Sequence, residues 1–142
     1  MKIIQYDKKY DSQIIDFIAY AKSKIKKDYT VNEDLYDIQK NYIDSGDMFW
    51  LGIDNDEKLI CTLGFNAIPA TTEVILHRFY VEPELKRQGL GTQMLKYAEN
   101  YIKSLGKTAI RANLGRNYLE SHKFYPKNGY TFYDELKVIK YL

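Results

Sequence analysis

Gly89 and Gly91 stand two residues apart in Lys86-Arg87-Gln88-Gly89-Leu90-Gly91-Thr92, between a strand-like run ending in Phe79-Tyr80-Val81 and a long amphipathic segment. That layout suits a pyrophosphate. Glycines permit backbone conformations and close approaches that a Cβ blocks, and the first turn of a helix leaves N–H donors unpaired with the positive end of the dipole behind them. Successive amides then form an anion nest. Two familiar phosphate loops do not fit. A P-loop needs four residues between its glycines and then Gly-Lys-Ser/Thr; a dinucleotide fingerprint needs a third glycine and a later ribose-binding acid. The alternative is a tight strand-to-helix turn that holds no ligand.

A second signature, Phe124-Tyr125-Pro126-Lys127-Asn128-Gly129-Tyr130, follows about one helix and one strand downstream. Arg/Lys-x-x-Gly-x-Gly after a strand ending in Val-x-Pro, joined to this Tyr-x-x-x-Gly-aromatic turn, resembles the GNAT superfamily of acetyl-CoA-dependent N-acyltransferases. The resemblance is strong over residues 72–133 and elsewhere follows the order of elements. It implies acetyl-CoA as cofactor, with the pantetheine arm beside Phe79, Tyr80 and Val81 and the diphosphate on amides of Arg87, Gln88, Gly89, Leu90, Gly91 and Thr92. Lys86 departs from the usual Gln or Arg; it or Arg87 supplies charge to phosphate. Asn117 stands one residue further from Tyr125 than the family's cofactor-contacting Asn.

The resemblance also assigns catalytic roles. Tyr125 matches the tyrosine that protonates, or donates a hydrogen bond to, the departing thiolate. Its ordinary pKa of ~10 exceeds the ~8.5 of a thiol, so full transfer is uphill by ~2 kcal/mol unless the site changes the balance. The alternative is a core tyrosine wedged by Phe124. Pro126 is expected to kink or shorten the helix just after Tyr125. Deprotonating a primary amine at pH 7 costs ~4–5 kcal/mol, which a base or water chain must help supply. His77 lies four residues before Val81, where some similar enzymes carry a catalytic histidine, and simple alternation places it on one strand face with Ile75, Phe79 and Val81. Glu73 shares that face and is the other candidate. The bland readings are a hydrogen-bonded sheet histidine and a solvated glutamate.

The elements that must position these residues read in a consistent order. Lys2–Tyr6 is a strand; Ile14, Phe17, Ile18, Ala21 and Ile25 recur at helical spacing; Leu35, Ile38 and Tyr42 suggest a second short helix. Met48–Ile53 and Lys58–Phe65 flank turn chemistry at Asp54-Asn55-Asp56-Glu57, and a third strand runs Glu73–Val81. A helix from Leu90 ends at Gly106, Lys107–Leu114 is a strand parallel to the third, a helix spans about Asn117–Asn128, and strands Tyr130–Tyr133 and Lys137–Tyr141 close the chain. The reading is a single α/β domain over 1–142, α+β in its mixed sheet: an antiparallel meander followed by two crossover helices. This matches the GNAT-like order, which carries splayed central strands.

With 142 residues, 45% hydrophobic and 28% charged, the chain is one soluble domain's worth of sequence. A net charge of +2 offers no general field for a polyanion, and no RNA-binding aromatic signature accompanies the 14 tyrosines, so nucleic acid is not an expected partner. Lys22, Lys24, Lys26 and Lys27 read as a solvated helix end. The single cysteine, Cys61, makes neither an intramolecular disulfide nor a zinc site and reads as core. No signal-like or membrane-spanning stretch is visible, so a cytoplasmic protein is expected, monomer or homodimer. The acceptor reads as a small-molecule or peptide amine whose groove is formed by Lys26–Glu33, Phe49-Trp50 and the hairpin around Asp134-Glu135. Asp28, Tyr29, Glu33 and Asp34 suit a cationic amine or a plain solvated loop. The competing function is an acyl-CoA-binding sensor or inactive GNAT-like module.

Overall fold

The structure, a computed structural model, describes residues 1–26 and 30–142. Its strands are β1 (Lys2–Gln5), β2 (Met48–Ile53), β3 (Leu59–Ala67), β4 (Glu73–Val81), β5 (Ala109–Asn113), β6 (Thr131–Asp134) and β7 (Lys137–Tyr141), and its helices α1 (Asp11–Lys26), α2 (Leu90–Ser104) and α3 (Leu119–Lys127). One mixed sheet takes the order β1-β2-β3-β4-β5-β7-β6. Among the described residues only β4 and β5 pair in parallel, as a crossover through α2 requires. The second crossover, through α3, delivers β6 to the sheet edge. β7 then returns between β5 and β6, antiparallel to both.

Period-2 alternation along β2 divides the core. Met48 and Trp50 face α2, with Cys61, Leu63 and Phe65 of β3 and Val74 and Leu76 of β4. Phe49, Leu51 and Ile53 face α1, whose Ile14, Phe17 and Ile18 close that side. Met94, Leu95, Ala98 and Ile102 of α2 are all fully buried, so the stripe read at helical spacing is the face that holds this helix down. Burial of side chains this size contributes roughly 1.5–3 kcal/mol each.

The segment expected to be a second short helix is instead a 3-10 turn at Glu33–Tyr36 and a π-helical turn at Gln39–Ile43. Leu35, Ile38 and Tyr42 still reach the core. Aspartates interrupt the regular helix: Asp37 leaves helical geometry and its carboxylate takes the Lys40 N–H at 3.0 Å. Lys22 also differs from expectation. Only 5% exposed, it donates from Nζ to the Thr30 carbonyl at 2.8 Å and tethers the chain after α1. Lys24 is exposed, whereas Lys27, Asp28 and Tyr29 lie outside the described residues.

Candidate active site

β4 and β5 stay together for three residue pairs, Glu73 with Ala109, Val74 with Ile110 and Ile75 with Arg111. Beyond Ile75 the two strands part while β4 runs on to Val81, paired with β3 alone. Backbone N–H and C=O groups on the open side of β4 require partners. A strand-like ligand can supply them. The seam opens into a cleft of about 900 Å³ lined by Phe79, Tyr80 and Val81 of β4, by the glycine loop, by α3, and by Ala21, Lys24 and Ile25 of α1. Because α1 and α3 cover opposite faces, the cleft passes through the sheet.

At one end the glycine loop forms the cradle read from the sequence. Gly89 adopts φ 80, a left-handed conformation that favours glycine, and leads straight into α2. Gln93 N–H bonds the Gly89 carbonyl at 3.0 Å, so the amides of Leu90, Gly91 and Thr92 precede the first bond of the helix ladder. A Cβ on Gly91 would lie 3.3 Å from the Phe124 ring and within 3.6 Å of Val81, filling the floor of the cradle. These features fit a diphosphate. Lys86, Arg87, Gly89, Leu90, Gly91, Thr92 and Asn117 line the cleft; Gln88 does not. Lys86 Nζ meets Glu120 Oε2 at 3.0 Å, and Arg87 approaches the same carboxylate at 4.0 Å. Sequence reasoning missed Glu120, an anion already standing at the cationic mouth.

Tyr125 lines the cleft from α3, 5% exposed, with its ring edge-on to Phe79 at 6.5 Å, Phe124 at 5.4 Å and Tyr130 at 5.2 Å. Its hydroxyl bonds to no group among the described residues. Burial pushes its pKa well above the ordinary tyrosine value, so the site does not favour a tyrosinate. Pro126 falls in the last turn, and α3 stops one residue later at Lys127. The helix thus continues past Pro126, and its main departure from the expected Asn117–Asn128 span is at its start. The helix begins at Leu119, leaving Asn117 in the loop before it.

The histidine's surroundings overturn one expectation. Arg78 adopts φ 57, and β4 carries one more residue than β3 between the pairs Gly64–His77 and Thr62–Tyr80. This β-bulge reverses the alternation. Val74 and Leu76 before it, and Phe79 and Val81 after it, all pack towards α2. Glu73, Ile75 and His77 therefore share the opposite face and do not share one with Phe79 and Val81. Neither His77 nor Glu73 lines the cleft. Glu73 is bonded to Arg111 Nε at 2.6 Å. His77 Nδ1 lies 2.8 Å from Asn66 Oδ1; burial first, and the neighbouring Arg78 charge second, hold its pKa below the ordinary histidine value.

A left-handed arginine costs roughly 1–2 kcal/mol of backbone strain. Asp34 offsets it. Its carboxylate receives Arg78 Nη2 at 2.8 Å and Nε at 3.1 Å and also takes the Tyr42 hydroxyl, while Thr62 Oγ1 bonds the Arg78 carbonyl. Asp34 is thus an ion-pair partner inside the fold. On the α1 face Tyr80 OH comes within 3.3 Å of Tyr118 OH, a contact that no local pattern signals. Phe49 and Trp50, expected beside an acceptor groove, are 0% and 1% exposed and belong to the core. Glu135 sits on an exposed turn paired with Arg116 at 2.8 Å. Cys61 is buried, which pushes its thiol up to about 12. Among the described residues no helix is long and apolar enough to cross a membrane, and no group of three His, Cys, Asp or Glu is placed to hold a metal.

Comparison with known proteins agrees with this geometry. The family model described as "Acetyltransferase (GNAT) family" matches residues 14–130. No curated protein sequence matches the chain. Among solved structures, a GNAT-family acetyltransferase from Staphylococcus aureus Mu50 superposes at TM-score 0.90 with 21% identity, covering 99% of this chain and 98% of that one. The PaiA N-acetyltransferase from Thermoplasma acidophilum, in complex with coenzyme A, superposes at 0.76 with 20% identity over 100% of both chains. A phosphinothricin acetyltransferase from Sinorhizobium meliloti, in complex with AcCoA, superposes at 0.79 with 13% identity, covering 99% of this chain and 88% of its own.

Proposed function

The chain belongs to the GNAT family of acetyltransferases, and on that premise we propose that it is an acetyl-CoA-dependent N-acetyltransferase acting directly on a primary amine. The observation that carries the reading is the open seam beside β4, with a glycine cradle at one end and the unpartnered Tyr125 hydroxyl on its wall. Bound there, acetyl-CoA supplies an activated acyl group on a thioester sulfur. The coenzyme A-bound relatives support the same choice of cofactor.

The chain's own residues do the rest. Open backbone groups of Phe79, Tyr80 and Val81 hold the pantetheine arm as an added strand, with Asn117 beside it. Amides from Arg87 to Thr92 take the diphosphate, and Lys86 and Arg87 add charge. His77 Nε2, set back from the cleft lining, accepts a proton from the acceptor ammonium through a water chain, leaving a neutral amine. The carbon–nitrogen bond forms and the carbon–sulfur bond breaks; the amine's second proton passes through water or the Tyr125 hydroxyl to the sulfur. Glu73, held by Arg111, serves the sheet. The bulge places His77 on the α1 face, so the amine enters there while the thioester lies against Phe79 and Val81.

Amine-dependent thiol release tests the reading. Purified protein with acetyl-CoA and a panel of small amines, amino acids, lysine and peptides should release coenzyme A only with an acceptor, together with a product 42 Da heavier, about the mass of an added acetyl group less one hydrogen. Stabilisation by acetyl-CoA without amine-dependent release would instead identify a sensor.

A further inference from the structure

Asn66 and His77 are diagonal neighbours on one face of the β3–β4 pair, since Gly64 lies opposite His77 and Asn66 opposite Ile75. The two ends of the Asn66 carboxamide are distinguishable by their surroundings. Its Nδ2 lies 2.9 Å from the Asn41 carbonyl and 3.1 Å from Asp47 Oδ2, both of which only accept. The other end, 2.8 Å from His77 Nδ1, is therefore the oxygen. An oxygen there requires a proton on Nδ1.

We propose that Asn66 is a positioning residue that fixes His77 as the Nδ1–H tautomer, leaving the Nε2 lone pair as the proton acceptor for the substrate amine. The proposal rests on the reading of His77 as the base. Asn66 is itself held from two sides, by the backbone of the π-helical turn and by the carboxylate that precedes β2, so the ring orientation is set before substrate arrives. Arg78, Asp34, Asp47 and Tyr42 are the charged and titratable groups around this pair, with the Glu73–Arg111 ion pair further along the same face. Burial and Arg78 favour the neutral ring, outweighing Asp34, which favours the charged one.

Long-range proton–nitrogen correlation spectra of protein labelled with 15N-histidine read the tautomer directly, with His122→Gln assigning the other ring. Wild-type protein above the histidine pKa should show His77 protonated at Nδ1 and bare at Nε2. Asn66→Ala should relax this to a mixture and lower kcat by ~10-fold or more, within the ~10²–10⁴ that a positioned base supplies, while KM for acetyl-CoA stays within about twofold. Asn66→Asp should keep the tautomer and raise the apparent pKa of the rate, because a carboxylate then faces the ring. The wild-type spectrum needs no variant, so misfolding cannot obscure it. His77 protonated at Nε2 in the wild type would overturn the proposal, as would Asn66→Ala with wild-type tautomer and kcat. Nδ1–H in the wild type with an unchanged pH–rate profile in His77→Gln would instead overturn the reading of His77 as base, and the catalytic sense of the proposal with it.

Discussion

His77 and Phe79, two residues apart on β4, face opposite sides of the sheet because Arg78 between them occupies the left-handed region. Alternation alone would have put them together. The consequence is that one strand presents side chains to two different faces on either side of Arg78. Phe79 and Val81 turn towards α2 and α3, where Tyr125 stands, and His77 turns towards the α1 face and Asn66. The cleft at the seam is lined from both sides of the sheet, by α1 and by α3.

The bulge depends on Asp34, so its removal should destabilise the protein. Asp34→Asn should cost about 1–3 kcal/mol at neutral pH, the range for leaving a half-buried charge poorly paired. Burial tends to raise the Asp34 pKa, but hydrogen bonds from Arg78 and Tyr42 outweigh it and hold the carboxyl below the usual range. The stabilisation is therefore present above the unfolded aspartate value of ~3.9 and lost as pH falls through the lower folded value. Urea unfolding of both proteins across that window should show the difference shrinking on acidification. A difference independent of pH would remove the ion pair from the account.

Acetyl-CoA at 100 times its dissociation constant should stabilise the fold by ~2.7 kcal/mol, visible as a rise in Tm. Gly91→Glu should abolish that rise and leave the apo protein folded. It places bulk against Phe124 and negative charge in the cradle. Undiminished affinity in this variant, measured by calorimetry, would mean that the diphosphate binds elsewhere.

Tyr125→Phe removes a hydroxyl that makes no hydrogen bond among the described residues, so stability should move by no more than ~0.5 kcal/mol. Turnover should fall by ~10²-fold or more with acetyl-CoA affinity within a few fold. Steady-state kinetics beside a melting curve separates the roles. Retained turnover would make Tyr125 a core residue only.

Glu120 pairs with Lys86 and Arg87, the two cations proposed to meet the cofactor's phosphates. These contacts are solvent-exposed and individually weak. Glu120→Gln should thus tighten acetyl-CoA binding only about 2–5-fold at low salt, with the gain fading as ionic strength rises. Titrations at two salt concentrations check this; weaker binding would show that Glu120 supports the cofactor instead of opposing it.

The parts of this molecule written in local sequence were readable as such. The glycine cradle and the Tyr125 turn are short motifs whose geometry follows from their own residues, and the β2–β3 hairpin follows from four turn-forming residues between apolar runs. What escaped depends on distant partners. No rule places an arginine at positive φ; Arg78 sits there because Asp34, 44 residues earlier, holds it. Asn66 gains meaning only once the β3–β4 register sets it diagonal to His77. The insertion of β7 between β5 and β6 was likewise invisible, since two short closing strands pair equally well in either order by pattern alone.

The central claim is direct transfer of an acetyl group from coenzyme A to an amine in the β4 seam. Its most direct test is a quenched single turnover with acetyl-labelled acetyl-CoA, an active amine from the panel and wild-type protein, followed by separation of protein, cofactor and amine. The label should move from cofactor to amine in one phase, with none on the protein, and should stay on the cofactor in Gly91→Glu. Label trapped on the protein before it reaches the amine, or label that never leaves coenzyme A with any amine offered, would contradict the account.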